Sequence, residues 1–172
     1  MSEFKIIRTA PDDSQYELFE NLPARLYSSS SMRFNFGNDP VSTHLEACYV
    51  LLKDNEPAGR FAFYENPELK YENEAAACIG SYECIEDPET SEKLIQHARY
   101  LAKGKRYTWL IGPMEGSTWN NYRFSKHNQY PNFFLEPYHH IYYNQQFKNA
   151  GFTEIADYYS NRDQTLDVDN ET

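Results

Sequence analysis

The chain has 172 residues, enough for one domain with a sizeable hydrophobic core. Its 26 acidic residues outnumber 16 lysines and arginines, so the formal net charge is −10. This charge repels phosphate backbones and anionic lipids, which argues against nucleic acid or a membrane as the main partner. The amino terminus lacks the apolar run of a signal peptide, and no stretch approaches the roughly 20 apolar residues of a membrane span. We therefore expect a cytoplasmic protein.

The three cysteines, Cys48, Cys78 and Cys84, lack the spacing of metal ligands and fall in apolar or strand-like runs. We expect buried, reduced thiols and no metal site. Aromatic content is high, with 15 tyrosines and 11 phenylalanines, and many tyrosines fall in the carboxy-terminal half. Tyrosine fills volume while keeping one polar tip, so this half contains either a wet cleft or an interface.

The amino-terminal part begins with a weakly alternating stretch, residues 4–8, which predicts a first strand. N-cap residues at 12–14 then precede a short amphipathic helix over residues 16–22. Residues 28–40 have no period and many turn formers, so they form a loop. Its Arg33, Phe34 and Phe36 indicate that part of it docks, and either a lid or a plain surface loop fits this pattern.

The clearest local signal is a hairpin, with strands over residues 46–53 and 60–64 and a turn at 55–59. Residues 75–85 give a third strand of the same antiparallel meander. A helix then begins at the Asp87-Pro88 pair and closes at Gly104.

The next strand, residues 107–112, follows that helix at once. Strand, helix and strand at this spacing make a crossover, which places residues 77–85 parallel to residues 107–112. Pro113 must end the strand, because it has no N–H to donate to a sheet. A polar and aromatic loop and a helix over residues 138–150 follow, between Pro137 and Gly151.

Residues 152–159 are predicted as a last strand. The sequence thus predicts a single α/β domain over residues 1–160, with a mixed, largely antiparallel sheet around a central parallel pair. Residues 161–172 are acidic and nearly free of apolar side chains, so we expect a frayed tail.

Several short segments of the carboxy-terminal half recur together in one group of proteins. They stand here as Gly112-Pro113-Met114, Ser117-Thr118-Trp119-Asn120, Pro137-Tyr138, Tyr142-Tyr143 and Gly151-Phe152. With them, the predicted order of elements resembles the GNAT family of N-acetyltransferases over nearly the whole chain, and in particular a divergent group of GNAT-like bacterial proteins. The resemblance implies a GNAT-like fold.

The resemblance also implies where a cofactor would bind. In the GNAT family, acetyl-CoA lies where the two central parallel strands splay apart, with its pyrophosphate on free backbone N–H groups at the next helix start. The candidate contacts for acetyl-CoA or another acyl-CoA are therefore Cys84, Ile85, Glu86 and Ser91. The family's glycine-rich loop with a basic or amide residue is missing. Three carboxylates stand there instead: Glu86, Asp87 and Glu89.

The candidate catalytic residues also follow from the resemblance. In many GNAT enzymes a tyrosine four residues before the helix-closing glycine protonates the departing thiolate, and that position is Phe147 here. Tyr143, one turn earlier on the same face, either substitutes for it or packs in the core. Glu83 either activates an amine through water, as in related enzymes, or is a half-exposed strand residue. His140 stands where an asparagine is frequent.

The candidate substrate-binding residues are Trp119, Asn120, Tyr122 and His139. Aromatic walls with a few polar groups suit small ligands, but the three loop residues would equally anchor their own loop. His139 and the adjacent His140 point to different sides of a helix, so they do not form a metal pair.

Two functions remain open at this point. The first is a divergent N-acyltransferase that moves an acyl group from a thioester donor to an amine of a small molecule or protein. The second is a non-catalytic GNAT-like domain that binds a small ligand or a protein partner, having lost the pyrophosphate loop and the acid tyrosine. The sequence does not indicate the oligomeric state.

Overall fold

The computed structural model describes residues 2–28, 39–127, 129, 136 and 138–160. In these residues the elements are β1 (Phe4–Thr9), α1 (Tyr16–Glu20), α2 (Leu22–Leu26), β2 (Leu45–Lys53), β3 (Glu56–Tyr64), β4 (Lys70–Tyr71), β5 (Glu74–Cys84), α3 (Pro88–Gly104), β6 (Trp109–Ile111) and α4 (Tyr142–Asn149). Three features of the sequence predictions lie outside the described residues: the docking part of the loop (Arg33, Phe34 and Phe36), the proline that precedes the last predicted helix (Pro137), and the acidic tail 161–172.

The sheet has the strand order β1-β2-β3-β5-β4, and β6 pairs separately with β5. Neighbours along the main path are antiparallel, whereas β6 runs parallel to β5. The parallel register joins Ala76 to Trp109 and Cys78 to Ile111. The predicted mixed, largely antiparallel sheet with one parallel pair is confirmed.

The β2–β3 hairpin turns earlier than the sequence predicted. Asp54 and Asn55 both have positive φ, 52° and 68°, as a two-residue turn with the sheet's own twist requires. The predicted turn at residues 55–59 is therefore wrong in position, because the chain re-enters the sheet at Glu56. Asparagine and aspartate tolerate positive φ better than most side chains, which favours this earlier pair.

A bulge in β5 separates its two halves. Ala62 of β3 pairs with Gly80 and Arg60 pairs with Glu83, so β5 has one extra residue in this interval. Ser81 takes a positive φ of 47° there. Such a bulge bends its strand and sharpens the twist. β6 pairs only with residues 76–78, so helix α4, not a strand, meets the carboxyl end of β5.

Helix α3 begins and ends as predicted. Asp87 is the N-cap, and its side chain accepts a hydrogen bond from the Thr90 N–H. Leu94, Ile95 and Ala98 are fully buried against the sheet. Burial of each of the two larger side chains contributes roughly 1.5–3 kcal/mol.

Two hydrophobic clusters lie on opposite faces of the sheet, because alternate residues of β2 and β3 belong to different clusters. Helices α3 and α4 complete one cluster with Leu94, Tyr143 and Phe147. Helix α1 completes the other with Tyr16 and Phe19. None of the described helices is both long enough and apolar enough to span a bilayer.

Two predictions for the carboxy-terminal part are corrected. Helix α4 begins at Tyr142, four residues after the predicted start at residue 138. The predicted last strand, residues 152–159, does not form. Its carboxylates instead make ion pairs, with Lys126 Nζ 2.9 Å from Glu154 and 2.5 Å from Asp157. A strand-like segment forms a strand only beside a neighbouring strand, and this segment does not pair with β6.

Candidate functional site

A hydrogen-bonded cluster forms at the carboxyl end of β5. Glu83 Oε2 accepts hydrogen bonds from the hydroxyl groups of Tyr27 (3.0 Å) and Tyr143 (2.6 Å). Tyr143 is fully buried in α4, and Tyr27 is buried just after α2. The carboxylate thus joins three elements that are far apart in the sequence. Burial raises the pKa of Glu83, while Arg60 and the two hydroxyl groups oppose that rise.

A buried cation adjoins this carboxylate. Arg60 lies opposite Glu83 in the β3–β5 register. Its guanidinium donates to the Phe19 carbonyl oxygen at 2.6 Å and lies 4.3 Å from the centre of that ring. Its Nε has no hydrogen-bond partner among the described residues. Because a buried charge is costly unless a partner compensates it, Arg60 and Glu83 each make the burial of the other less unfavourable.

The main-chain groups at the end of β5 bond to side chains of α4. The Cys84 N–H donates to the Tyr143 hydroxyl oxygen at 3.3 Å. The Cys84 carbonyl accepts from the Tyr142 hydroxyl group at 2.9 Å, and the Ile85 carbonyl accepts from Gln146 at 2.8 Å. A strand that leaves its parallel neighbour would offer these groups to a ligand. Here the protein itself satisfies them.

The start of α3 is closed in a similar way. The Asp87 carboxylate accepts from the Thr90 N–H at 3.0 Å, and the Asp87 carbonyl accepts from the Ser91 N–H at 3.1 Å. The Ser91 hydroxyl group donates to the Pro88 carbonyl, and Pro88 itself has no N–H. The hydrogen bond from the Thr90 hydroxyl group lowers the pKa of Asp87 most, and Lys53 lowers it further. A carboxylate therefore stands where a helix start would otherwise accept a phosphate.

Glu86 and Cys84 complete the predicted cofactor contacts. Glu86 is exposed at the surface beside the helix start. The Cys84 thiol is buried, and burial raises its pKa to about 12. Cys84 is therefore a neutral core thiol, and its main-chain groups take part in the cluster.

The two histidines before α4 differ in their surroundings. His140 stacks on the Tyr27 ring at 4.4 Å, and its Nε2 lies 3.3 Å from the Leu26 carbonyl oxygen. Burial lowers the pKa of His140. His139 is buried and its Nε2 accepts from the Ser125 N–H at 3.0 Å, while its Nδ1 has no partner within the described part of the chain. Burial lowers the pKa of His139 to about 4, so the imidazole is neutral near pH 7.

The predicted substrate-binding loop residues lie apart from the Glu83 cluster. Asn120 donates to the Glu115 carbonyl at 2.7 Å, inside its own loop. Trp119 is almost fully exposed at the tip of that loop. Tyr122 accepts from Arg123 at 2.8 Å and makes an edge contact with Tyr158, 5.5 Å between ring centres. Of the predicted residues, the structure brings together Glu83, Tyr143, Cys84, Ile85 and His140, and the His139 ring stacks on that of Tyr143 at 6.1 Å.

Sequence reasoning did not select four members of the cluster as site residues: Tyr27, Arg60, Tyr142 and Gln146. The hairpin register could have placed Arg60 beside the predicted strand of Glu83. Gln146 could have been found one turn after Tyr142, on the face of α4 that meets β5. Nothing in the sequence pattern indicated Tyr27. Within the described residues, no three metal-ligating side chains come together.

Comparisons with known proteins identify the fold. No protein-family model and no curated protein sequence matches the chain. Among solved structures, aminoglycoside N-acetyltransferase AAC(6')-Iy in complex with CoA is similar at a TM-score of 0.59 and 10% identity, over 96% of this chain and 97% of that one. An aminoglycoside acetyltransferase from an uncultured soil metagenomic sample, in complex with sisomicin, gives 0.55 and 13%, over 93% and 97%. The ribosomal-protein-alanine N-acetyltransferase of Brucella melitensis biovar Abortus 2308 gives 0.54 and 12%, over 92% and 98%. The chain has the fold of the GNAT N-acetyltransferases.

One of these similar structures contains CoA. The two positions that the resemblance assigns to CoA are the start of α3 and the edge of β5. At the start of α3, the Asp87 carboxylate places a negative charge where the pyrophosphate would bind. At the edge of β5, the main-chain groups already have hydrogen bonds to Tyr142, Tyr143 and Gln146. The residues present do not fit CoA.

Proposed function

We propose that this domain keeps the fold of the N-acetyltransferases but binds a partner or ligand, and does not transfer an acyl group from CoA. The observation that supports this function best is the set of α4 side chains on the β5 edge. They occupy the strip of main chain that, by resemblance, holds the cofactor in the GNAT family.

The internal bonds would be costly to open. Tyr143 is fully buried and bonds both to Glu83 and to the Cys84 N–H. If α4 moved away, buried polar groups would lose their partners at a cost of about 1–3 kcal/mol for each group. A ligand would have to repay this cost before it gained any affinity. A closed β5 edge is therefore the stable state of the domain.

A second candidate function is N-acyl transfer to an amine of a small molecule or protein. It is favoured by the Glu83 cluster, because a carboxylate with a raised pKa beside two tyrosine hydroxyl groups is typical of acid–base sites. This function requires α4 to leave the end of β5, so that a thioester can enter.

A thermal-shift titration with acetyl-CoA and longer acyl-CoAs separates the two functions. A ligand that binds only the native state raises its stability, by about 2.7 kcal/mol at a concentration of 100 times the dissociation constant. We expect no shift at any concentration. A saturable increase in Tm would overturn the proposed function and favour acyl transfer.

The variant Glu86→Gln/Glu89→Gln sharpens this test. It removes two carboxylates near the start of α3 but keeps Asp87 as the N-cap. We expect acetyl-CoA to leave the Tm of the variant unchanged, as it does for the native protein, because the β5 edge stays closed. Binding gained by this variant would show that surface charge alone excludes CoA, against the proposal.

A further inference from the structure

A groove runs along the outer edge of β6. It has a volume of about 1710 Å³ and is lined by β6, the end of α4 and residues 152–160, with Phe124, Phe147 and Phe152 among its apolar walls. Small-ligand pockets are typically about 300–1,000 Å³, so this groove is large for a single metabolite. A groove of this volume suits a longer, polymeric ligand.

The edge of β6 offers main-chain groups to this groove. The Ala76 N–H donates to the Leu69 carbonyl and the Ile79 carbonyl accepts from the Met114 N–H, so residues 77 and 79 of β5 face β6. In the observed register these residues bond to Trp109 and Ile111. Because residues of a parallel strand alternate between their two neighbours, Leu110 directs its N–H and C=O groups away from β5. In the described part of the chain no strand pairs with this outer side of β6. An extended backbone is the ligand that such an edge binds.

Large apolar side chains are exposed along the same groove. The described residues contain six exposed large apolar side chains, and four of them line it: Trp109 (37% exposed), Ile155 (52%), Tyr158 (55%) and Tyr159 (85%). Exposed apolar side chains that gather in one place mark interaction surfaces. The groove therefore combines a sheet edge with places for apolar side chains.

Two cations of the groove, Arg99 and Lys103, have no carboxylate partner among the described residues. By contrast, Lys126 and Lys148 both pair with Glu154. Arg99 instead donates to the Ala150 carbonyl and lies 5.6 Å from the Phe152 ring centre. Within the described residues, no carboxylate lies within 4.0 Å of Arg99 or Lys103. In a chain of net charge −10, these cations provide local complementarity to an acidic group.

We propose that this groove binds an extended, acidic peptide segment of a partner protein, which adds to β6 as a further strand and places a carboxylate near Arg99 and Lys103. The inference rests on the proposed function and names its partner. Main-chain bonds to Leu110 hold the peptide, and the apolar side chains and two cations select its sequence.

The test uses fluorescein-labelled peptides of eight residues, measured by fluorescence anisotropy against the native protein. Two probes alternate valine and threonine and have two aspartates at the carboxyl or the amino end, because the strand direction is open. Matched peptides have lysine in place of aspartate. We expect saturable binding of at least one acidic probe, and at least tenfold weaker binding of its lysine counterpart. Equal binding of both kinds, or no binding of any peptide, would overturn the inference.

Two further comparisons test the site and the binding mode. Arg99→Gln/Lys103→Gln should weaken the acidic probe at least tenfold, whereas Lys70→Gln, an exposed lysine outside the groove, should leave it unchanged. Two further probes have methyl groups on alternate backbone nitrogens, one on the odd residues and one on the even residues. The probe whose methylated nitrogens face β6 should lose binding. If both probes still bind, strand addition is excluded.

The remaining outcomes are also decisive. If sedimentation shows a dimer that the same double variant dissociates, a second copy fills the groove and the inference is wrong. If acetyl-CoA stabilises the protein, the proposed function fails whatever the peptides do. If acetyl-CoA is silent and no peptide binds, the peptide inference alone fails.

Discussion

Glu83 shows at the scale of single residues why this site is closed. Its Oε2 accepts two tyrosine hydroxyl groups, and Arg60 supplies a nearby positive charge. A tyrosine that donates to an internal carboxylate at 2.6 Å is not free to give its proton to a departing thiolate. Tyr143 thus occupies a position one turn from the family's acid while making a structural bond.

Removal of one hydroxyl group tests this role. Tyr143→Phe leaves the Cys84 N–H without its acceptor and takes one donor from Glu83. We expect the free energy of unfolding to fall by about 1–3 kcal/mol, measured by urea denaturation. Tyr100→Phe, at an exposed tyrosine of α3, is the control and should change stability by less than about 0.5 kcal/mol. Equal stability of both variants would show that the Tyr143 bonds contribute nothing.

His139 predicts a pH dependence of stability. Its folded-state pKa of about 4 lies below the ordinary value of 6.5. Between these values the unfolded chain binds a proton that the folded chain does not, so the His139 contribution is complete above pH 6.5 and is lost as the pH falls toward 4. The loss is on the order of 3 kcal/mol.

The variant His139→Gln isolates this term, because a glutamine oxygen can still accept the Ser125 N–H. We expect the stability of the native protein to fall more steeply than that of the variant between pH 6.5 and 4, by urea denaturation at each pH. Other titrating groups are common to both proteins and cancel in the difference. Parallel curves would show that His139 does not titrate in this way.

The sequence indicated about half of this cluster. Glu83 and Tyr143 were candidates because strand and helix patterns are local and the resemblance pointed to them. Tyr27 was not, because its contact with Glu83 spans 56 residues and depends on where α2 ends against the sheet. Local patterns predict elements, whereas such contacts depend on how the elements pack.

At the scale of elements, the start of α3 is held by one side chain. Asp87→Ala removes the bond to the Thr90 N–H and should lower the free energy of unfolding by about 0.5–2 kcal/mol. Asp87→Asn keeps an N-cap but loses the charge that faces Lys53, 3.0 Å away. Its cost should be smaller, about 0.2–1 kcal/mol. Glu86→Gln is the control at an exposed residue. If Asp87→Ala were no less stable than Asp87→Asn, the N-cap role of Asp87 would be contradicted.

The sequence predicted helices and strands correctly where the residues that determine them lie within the element itself. Helix α3 has an N-cap, a proline and an apolar face within 17 residues, and its predicted bounds are confirmed. Residues 152–159 have a strand-like pattern but no cap, turn or partner of their own. Their lysine partners, Lys126 and Lys148, lie outside the segment, so the sequence pattern could not reveal that ion pairs would replace a ladder.

For the whole molecule, the close approach of β5 to the segment after β6 joins the antiparallel and parallel parts of the sheet. The Met114 N–H donates to the Ile79 carbonyl at 2.8 Å, and the Ser81 hydroxyl group donates to Glu115 at 2.5 Å. Gly80 lies between these two contacts. A side chain at that position would push the two parts of the domain apart.

Gly80→Ala therefore tests how the domain is held together. An added Cβ would lie 2.5 Å from Glu115 Cγ and 2.8 Å from the Met114 carbonyl oxygen, and main chain cannot yield as a flexible side chain can. We expect a loss of about 1–3 kcal/mol in the free energy of unfolding, as for overpacked cores. Gly104→Ala is the matched control at the end of α3, where a Cβ has no neighbour within 4 Å. It should leave stability unchanged or raise it by about 0.4–1 kcal/mol. Equal effects of the two substitutions would mean that the Gly80 contact does not join the two parts of the sheet.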